Sequence, residues 1–215
     1  MEGPIDSLEA ISEKIRADLQ AIDTARESVL PLCRQIIRYS GKAIRALHRQ
    51  EYEKAEDILD LASKLVIDAR KNLAEHNELQ HSRFLLDAQK EFAEGSITLA
   101  LITQQQLPSP KELGVENAAY LNGLGEAVGE LRRYILDSLR RDNISRGEEL
   151  LQVMDDIYDV LVTIDFPDAI TASLRHTTDM VRAVLERTRS DLTLAILQKN
   201  LESKMEKYNR KGNKS

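Results

Sequence analysis

Four glutamates set the chemistry open to this chain. Glu91 and Glu94 stand three apart in Asp87-Ala88-Gln89-Lys90-Glu91-Phe92-Ala93-Glu94, and Glu126 and Glu130 stand four apart in Leu124-Gly125-Glu126-Ala127-Val128-Gly129-Glu130-Leu131. Both spacings put a pair of carboxylates on one face of a helix, where like charges repel. The neighbours of the second pair are apolar or small rather than basic. Gly125 and Gly129 each cost a helix about 1 kcal/mol relative to alanine, and at four-residue spacing they leave a flat strip beside the carboxylates. Four carboxylates brought together either take up protons or bind a cation. Oxygen ligands without His or Cys suit a hard ion, Mg²⁺ or Mn²⁺, whose usual work is on phosphates. Such an ion supplies a nucleophilic water and neutralises a leaving oxygen, the chemistry of in-line attack at phosphorus. The same glutamates also fit a solvated helix face, and spacing alone leaves both readings open.

Arg34, Arg38, Lys42, Arg45 and Arg49 recur every three or four residues, with Arg26 two turns earlier and His48 nearby. The chain as a whole is acidic, with 30 Lys and Arg against 36 Asp and Glu and a net charge of −6, so it does not coat nucleic acid with its entire surface. A concentrated basic stripe in such a chain suits a phosphate backbone, RNA or single-stranded DNA. A subunit-contacting face paired with acidic residues is the other reading. Three Phe, six Tyr and no Trp favour sequence-tolerant backbone binding over a platform of stacked bases. The remaining reactive residues form no site. Cys33 is the single cysteine and reads as a buried structural thiol, and His48, His76, His81 and His176 lack the spacing of a zinc site. No Gly-rich phosphate loop and no serine nucleophile elbow occur.

The elements that must position these residues are helices. Gly and Pro are sparse and clustered, and the intervals between them are rich in Ala, Leu, Glu, Arg and Lys with apolar residues every three or four positions. The pattern predicts an all-α single domain over residues 1–208, with a polar, disordered tail at 209–215. The first helix spans about Ile5 to His48, bent at Pro31, with Leu8, Ile11, Ile15, Leu19 and Ile22 on a stripe that Val29, Leu32, Ile36 and Ile37 continue. A second spans about Glu51 to Glu75, with Ile58, Leu61, Leu65 and Ile67 as its apolar positions, and a third about Glu78 to Thr103. Gln104 to Gly114, with two prolines, is a mobile loop. A fourth helix spans Glu116 to Arg141. After a turn at Asp142-Asn143-Ile144, Ser145 and Glu148 form a capping box for a fifth helix to about Ile164. Asp165-Phe166-Pro167 breaks the chain before a last helix, itself open to splitting, from Asp168 to Tyr208. No run approaches the roughly 18 apolar residues of a membrane span, and the Met1 start carries no signal-peptide pattern, so a cytoplasmic protein without a membrane role is expected.

Three segments together resemble the translin and translin-associated factor X family. They are Thr24 to Arg49 (T-A-R-E-S-V-L-P-L-C-R-Q-I-I-R-Y-S-G-K-A-I-R-A-L-H-R), Gln89 to Glu94, and Tyr120-Leu121-Asn122-Gly123-Leu124-Gly125-Glu126-Ala127-Val128-Gly129-Glu130-Leu131-Arg132-Arg133. Tyr158-Asp159-Val160 and the helix after it also fit, so the resemblance runs from about Ile5 to Arg189 and rests on the order and spacing of short motifs. It implies a compact subunit of six or seven helices that assembles, usually as an octamer, into a hollow shell with RNA inside. In that family the factor X subunit carries a Mg²⁺-dependent endoribonuclease site, built from a Glu-aromatic-x-Glu pair and a later acidic-x-x-x-Glu pair. Glu91 with Glu94 matches the first pair and Glu126 with Glu130 the second, so the resemblance implies the catalytic type, acting on single-stranded or nicked RNA. Glu126 stands where an Asp is familiar, a longer arm at the metal. Arg34, Arg38, Arg45 and Arg49 match the family's basic first-helix region. Two other readings remain: a non-catalytic translin-like shell that binds single-stranded nucleic acid, and an all-α Mg²⁺-dependent nucleotide pyrophosphohydrolase, whose second acidic pair is spaced by three rather than four.

Overall fold

Ala25, Val29, Cys33, Ile36, Ala43 and Leu47 recur along one face of the first helix, and all are buried. The computed structural model describes residues 4–141 and 143–212. Among these residues the chain forms nine helices and no strand: α1 (Pro4–His48), α2 (Tyr52–Asn72), α3 (Asn77–Gln80), α4 (Arg83–Thr103), α5 (Pro110–Leu113), α6 (Asn117–Leu139), α7 (Ile144–Val162), α8 (Asp168–Thr171) and α9 (Leu174–Gly212). Six are long and three are single turns of four residues. The expected single all-α domain of six or seven helices is present. α1 packs on α2 and α4, α4 on α6, and α6 on α7 and α9, with α7 also against α9.

α4 is the middle of this stack and is buried on almost every side from Leu85 to Ile102. Glu94, its one buried carboxylate, is there because α1 and α6 flank it on either side. The close approach of α4 and α6 is set by Gly123. A Cβ at that position would lie 2.8 Å from the Lys90 carbonyl oxygen and 2.9 Å from Ala93 Cβ. The strip expected at Gly125 and Gly129 is only half used. Gly125 meets α9, where a Cβ would stand 2.4 Å from Thr177 Cγ2, while Gly129 faces open space.

Several boundaries and stripes differ from the sequence reading. The buried face of α2 is Ala55, Leu59, Ala62, Val66 and Ala69, whereas Leu61 and Ile67 are about half exposed. Small residues let α2 lie close on α1, and of the four apolar positions expected there Ile58 and Leu65 pack against the core while Leu61 and Ile67 do not. Leu8, Ile11, Ile15 and Leu19 are exposed rather than part of the core. The Gln104 to Gly114 segment is an ordered reversal: Gln104 closes α4 in the left-handed region (φ 59°), and Ser109 and Glu112 form a reciprocal capping box with Pro110 at the first helical position. That box is here and not at Ser145, because α7 starts two residues earlier with Asn143 as its cap, whose side chain accepts from the Arg146 amide at 3.4 Å. Asp142 of the expected turn lies outside the described residues. The last helix is split at Ala172 and Ser173, both with positive φ (50° and 67°), and α9 continues through 209–212, where a disordered tail was expected. Residues 213–215 of that tail lie outside the described residues. No helix among the described residues is long and apolar enough to cross a membrane.

Candidate metal centre and nucleic-acid interface

α4 delivers Glu91 and Glu94 to the face it shares with α6, and α6 delivers Glu126 and Glu130 to the same face. Carboxylate oxygens of Glu91, Glu94 and Glu126 lie within 4.8 Å of one another. The fourth glutamate, expected in the same set, lines the same cleft but turns the other way, its Oε2 accepting a hydrogen bond from His48 Nε2 at the end of α1. His48 Nδ1 is buried and has no partner among the described residues. Arg133 stands 3.9 Å from the same oxygen of Glu130.

The cleft holds about 510 Å³ and is walled by four helices: Gly41, Ile44 and Arg45 of α1, the two glutamates of α4, Gly125, Gly129 and Arg133 of α6 with its own glutamates, and Met180, Val181 and Val184 of α9. Two polar ties fix its walls. Asn122 of α6 donates to the Thr171 carbonyl at 2.8 Å and accepts from Thr177 of α9 at 2.6 Å, and Arg132 donates to Asp191 of α9 at 2.7 Å. Arg132 therefore faces α9 and not the cleft.

Burial first, and then the charges of Glu126, Glu91 and Glu130, push the Glu94 carboxyl up to about 8. Burial raises Glu91 as well, against the pull of Lys90. Lys90 enters the cluster from α4, its ammonium 2.6 Å from Glu126 Oε1 and 3.8 Å from Glu91 Oε1. Burial works against that charge, but the hydrogen bond and charge of Glu126 and the charges of Glu91 and Asp87 outweigh it, so the ammonium is held above its usual pKa. Three carboxylates on one small volume, with oxygen donors only and a single ammonium beside them, fit a hard divalent cation.

The basic stripe is entirely exposed, and among the described residues Arg34, Arg38, Lys42, Arg45 and Arg49 make no ion pair within 4.0 Å. They are free for an external polyanion. Arg45 borders the carboxylate cleft directly. Arg38 and Lys42 instead flank the Tyr39 ring, each 5.6 Å from its centroid, on the adjoining side of α1. Lys90, His48 and Arg133 are the residues to which the sequence reading gave no role. Lys90 and Arg133 sit inside the quoted motifs, and His48 follows Arg45 by three residues on the same face, but nothing in the spacing says which carboxylate each one meets. Cys33 is buried, as expected, and burial pushes its thiol up to about 11.

An all-α domain with a glutamate cluster between two central helices is thus the class defined by fold and site. No family model matches the chain. The uncharacterized protein MJ0175 of Methanocaldococcus jannaschii is 30% identical over 180 residues, 81% of this chain and 78% of that protein. Among solved structures, AfC3PO is 33% identical with a TM-score of 0.77, both alone and in its complex with duplex RNA. The match covers 86% of this chain and 97% or 96% of the AfC3PO chain, respectively. The chain of apo-NeC3PO shares the fold at 19% identity and a TM-score of 0.73, over 91% of this chain and 98% of that one. The chain belongs to the translin family.

Proposed function

We propose that this chain is an RNA-binding, metal-dependent endoribonuclease of the catalytic factor X type that cuts single-stranded or nicked RNA. The observation that carries this reading is the convergence of Glu91, Glu94 and Glu126, from two helices, within 4.8 Å beside a cleft bordered by the unpaired Arg45. Glu91, Glu94 and Glu126 hold Mg²⁺, or Mn²⁺ in its place, and Glu130 stands at their flank, kept in position by His48. A divalent ion at that point supplies charge to the phosphate and a nucleophilic water. Arg45 and Arg133 meet the phosphate oxygens beside the cut, and Arg34, Arg38, Lys42 and Arg49 carry the strand onward along α1 by charge, without reading its sequence. The complex of AfC3PO with duplex RNA supports RNA as the ligand class.

The working form is a homo-oligomer, an octameric shell, in which the exposed apolar stripes of α1 and α9 are covered by neighbouring subunits. One observation favours a second reading, a non-catalytic RNA-binding subunit: the Lys90 ammonium already gives the triad a positive partner.

The experiment is cleavage of labelled single-stranded, nicked and intact duplex RNA by the purified protein with Mg²⁺, Mn²⁺ or EDTA, beside a Glu126→Ala/Glu130→Ala variant of unchanged assembly. Metal-dependent cutting of the first two substrates, lost in the variant while RNA binding persists, is the expected result. RNA bound equally by both proteins and cut by neither establishes the non-catalytic subunit. Turnover of free nucleoside triphosphates without RNA cleavage establishes a pyrophosphohydrolase instead.

A further inference from the structure

Glu126 lines two clefts. On one side is the carboxylate cleft, and on the other is a second cleft of similar size, about 510 Å³, bordered by His81, Arg83, Lys90, Ser173 and His176. Lys90 stands at the wall between them. Its ammonium is bound to Glu126 and lies within 4.0 Å of Glu91, so it occupies two members of the triad that an ion would need. A divalent ion on Glu91, Glu94 and Glu126 and an ammonium at 2.6 Å from Glu126 are like charges competing for the same oxygens. The lysine side chain is long and rotatable, and it is still about a quarter exposed, so it has somewhere to go.

We infer that Lys90 is an internal counter-ion which a divalent cation displaces from Glu126, and that the displaced ammonium turns into the second cleft to take a phosphate of the bound strand. This rests on the metal-dependent reading above and adds to it a second phosphate subsite beside the cut. The second cleft has the composition for that task. Arg83 and two histidines border it, while its acidic members are Glu126, which the ion then occupies, and Asp87, 3.7 Å from Arg83. The exchange also gives order to binding: without the ion, Lys90 is spent on the glutamate and the subsite lacks its central cation, so metal and strand each favour the other's arrival.

The test begins with the wild-type protein. The acetylation rate of Lys90 by a small activated ester is followed by peptide mass spectrometry, with the exposed Lys54 and Lys64 as internal references. Saturating Mg²⁺ is expected to accelerate acetylation of Lys90 several-fold relative to the references, and an uncleavable 2′-O-methyl strand added with Mg²⁺ is expected to reverse the gain. In parallel, Mn²⁺ titration without RNA is expected to show at least tenfold tighter binding by Lys90→Met than by wild type, and at saturating Mg²⁺ the Lys90→Met protein is expected to bind the uncleavable strand several-fold more weakly, with Lys90→Arg restoring strand binding. Metal binding that leaves Lys90 acetylation unchanged, or Lys90→Met that binds Mn²⁺ no more tightly, overturns this inference alone. A wild-type protein that binds neither Mg²⁺ nor Mn²⁺ overturns it together with the metal-dependent reading.

Discussion

Glu94 is the residue at which burial and charge most openly conflict. Its folded-state pKa is raised to about 8, above its unfolded value, so between roughly pH 4.5 and 8 the folded chain holds a proton that the unfolded chain has released. Stability of the metal-free protein is therefore expected to fall as pH rises through that window, by at most about 1.4 kcal/mol per pH unit, and to level off above it. Urea midpoints measured in EDTA from pH 5 to 9 check this, and Glu94→Gln should flatten the decline; a wild-type curve that is level across the window would contradict the assignment. Gly123 and Gly129 give a paired prediction in the same helix. Gly123→Ala pushes into α4 backbone and should cost about 1–3 kcal/mol, whereas Gly129→Ala meets nothing and should gain up to about 1 kcal/mol from helix propensity. Chemical denaturation of both variants reads the contrast. The types and spacing of all four glutamates were legible in the sequence, as was the oddity of glycines beside them. What the spacing could not say was that Gly123, not Gly125 or Gly129, faces α4, or that Glu130 meets His48, because both depend on how the two helices are rotated about their axes.

At the scale of elements, the stack is tied at its helix ends as well as through its core. Arg146, in the first turn of α7, donates to the Leu101 and Ile102 carbonyls at the end of α4, at 2.9 and 2.8 Å, and pairs with Glu149 at 2.6 Å. These carbonyls lack partners within their own helix, so the guanidinium acts as a cap delivered from another element. Arg146→Ala should cost about 1.5–3 kcal/mol, the usual loss for a charged hydrogen-bond partner, and urea unfolding measures it. Apolar residues every three or four positions located the long helices, with Pro31, Gly41, Gly95, Gly123, Gly125, Gly129 and Gly147 inside them. The ends were harder, since a capping box is a pattern of two residues that recurs by chance. Ser145 and Glu148 carry it without using it, while Ser109 and Glu112 use it in a segment that two prolines had marked as loop. For α2, the alanines at positions 55, 62 and 69 carry the packing, and alanine is too common in helices for its phase to stand out.

At the scale of the whole molecule, an apolar stripe stands uncovered toward each end of the described residues. Leu8, Ile11, Ile15 and Leu19 on α1, and Leu194, Leu197, Leu201, Met205 and Tyr208 on α9, are each more than half exposed. Patches of this length on a single chain mark a surface that meets another protein. Leu19→Asp combined with Leu201→Asp should lower the mass measured by sedimentation velocity while leaving the far-ultraviolet circular dichroism unchanged; an unaltered mass would show that neither stripe joins subunits. Periodicity made the α1 stripe visible from sequence, but an apolar period states only that a face is covered, not whether its cover comes from the same chain. The architecture of α1 bears on how such an assembly is tolerated. The helix is a cantilever: its later turns are clamped on α2 and α4 from about Ala25 onward, while residues 8–21 stand clear. A load on the free end bends such a beam most at its root. Pro31 lies six residues inside the clamped part, on the exposed side, and its nitrogen has no proton to give the Glu27 carbonyl. Arg45 is fourteen residues farther on, roughly 20 Å along the axis, and His48 lies beyond it. Arg45 and His48 thus sit deep in the clamped part, so a load on the free arm reaches the wall of the cleft only through turns held by α2 and α4.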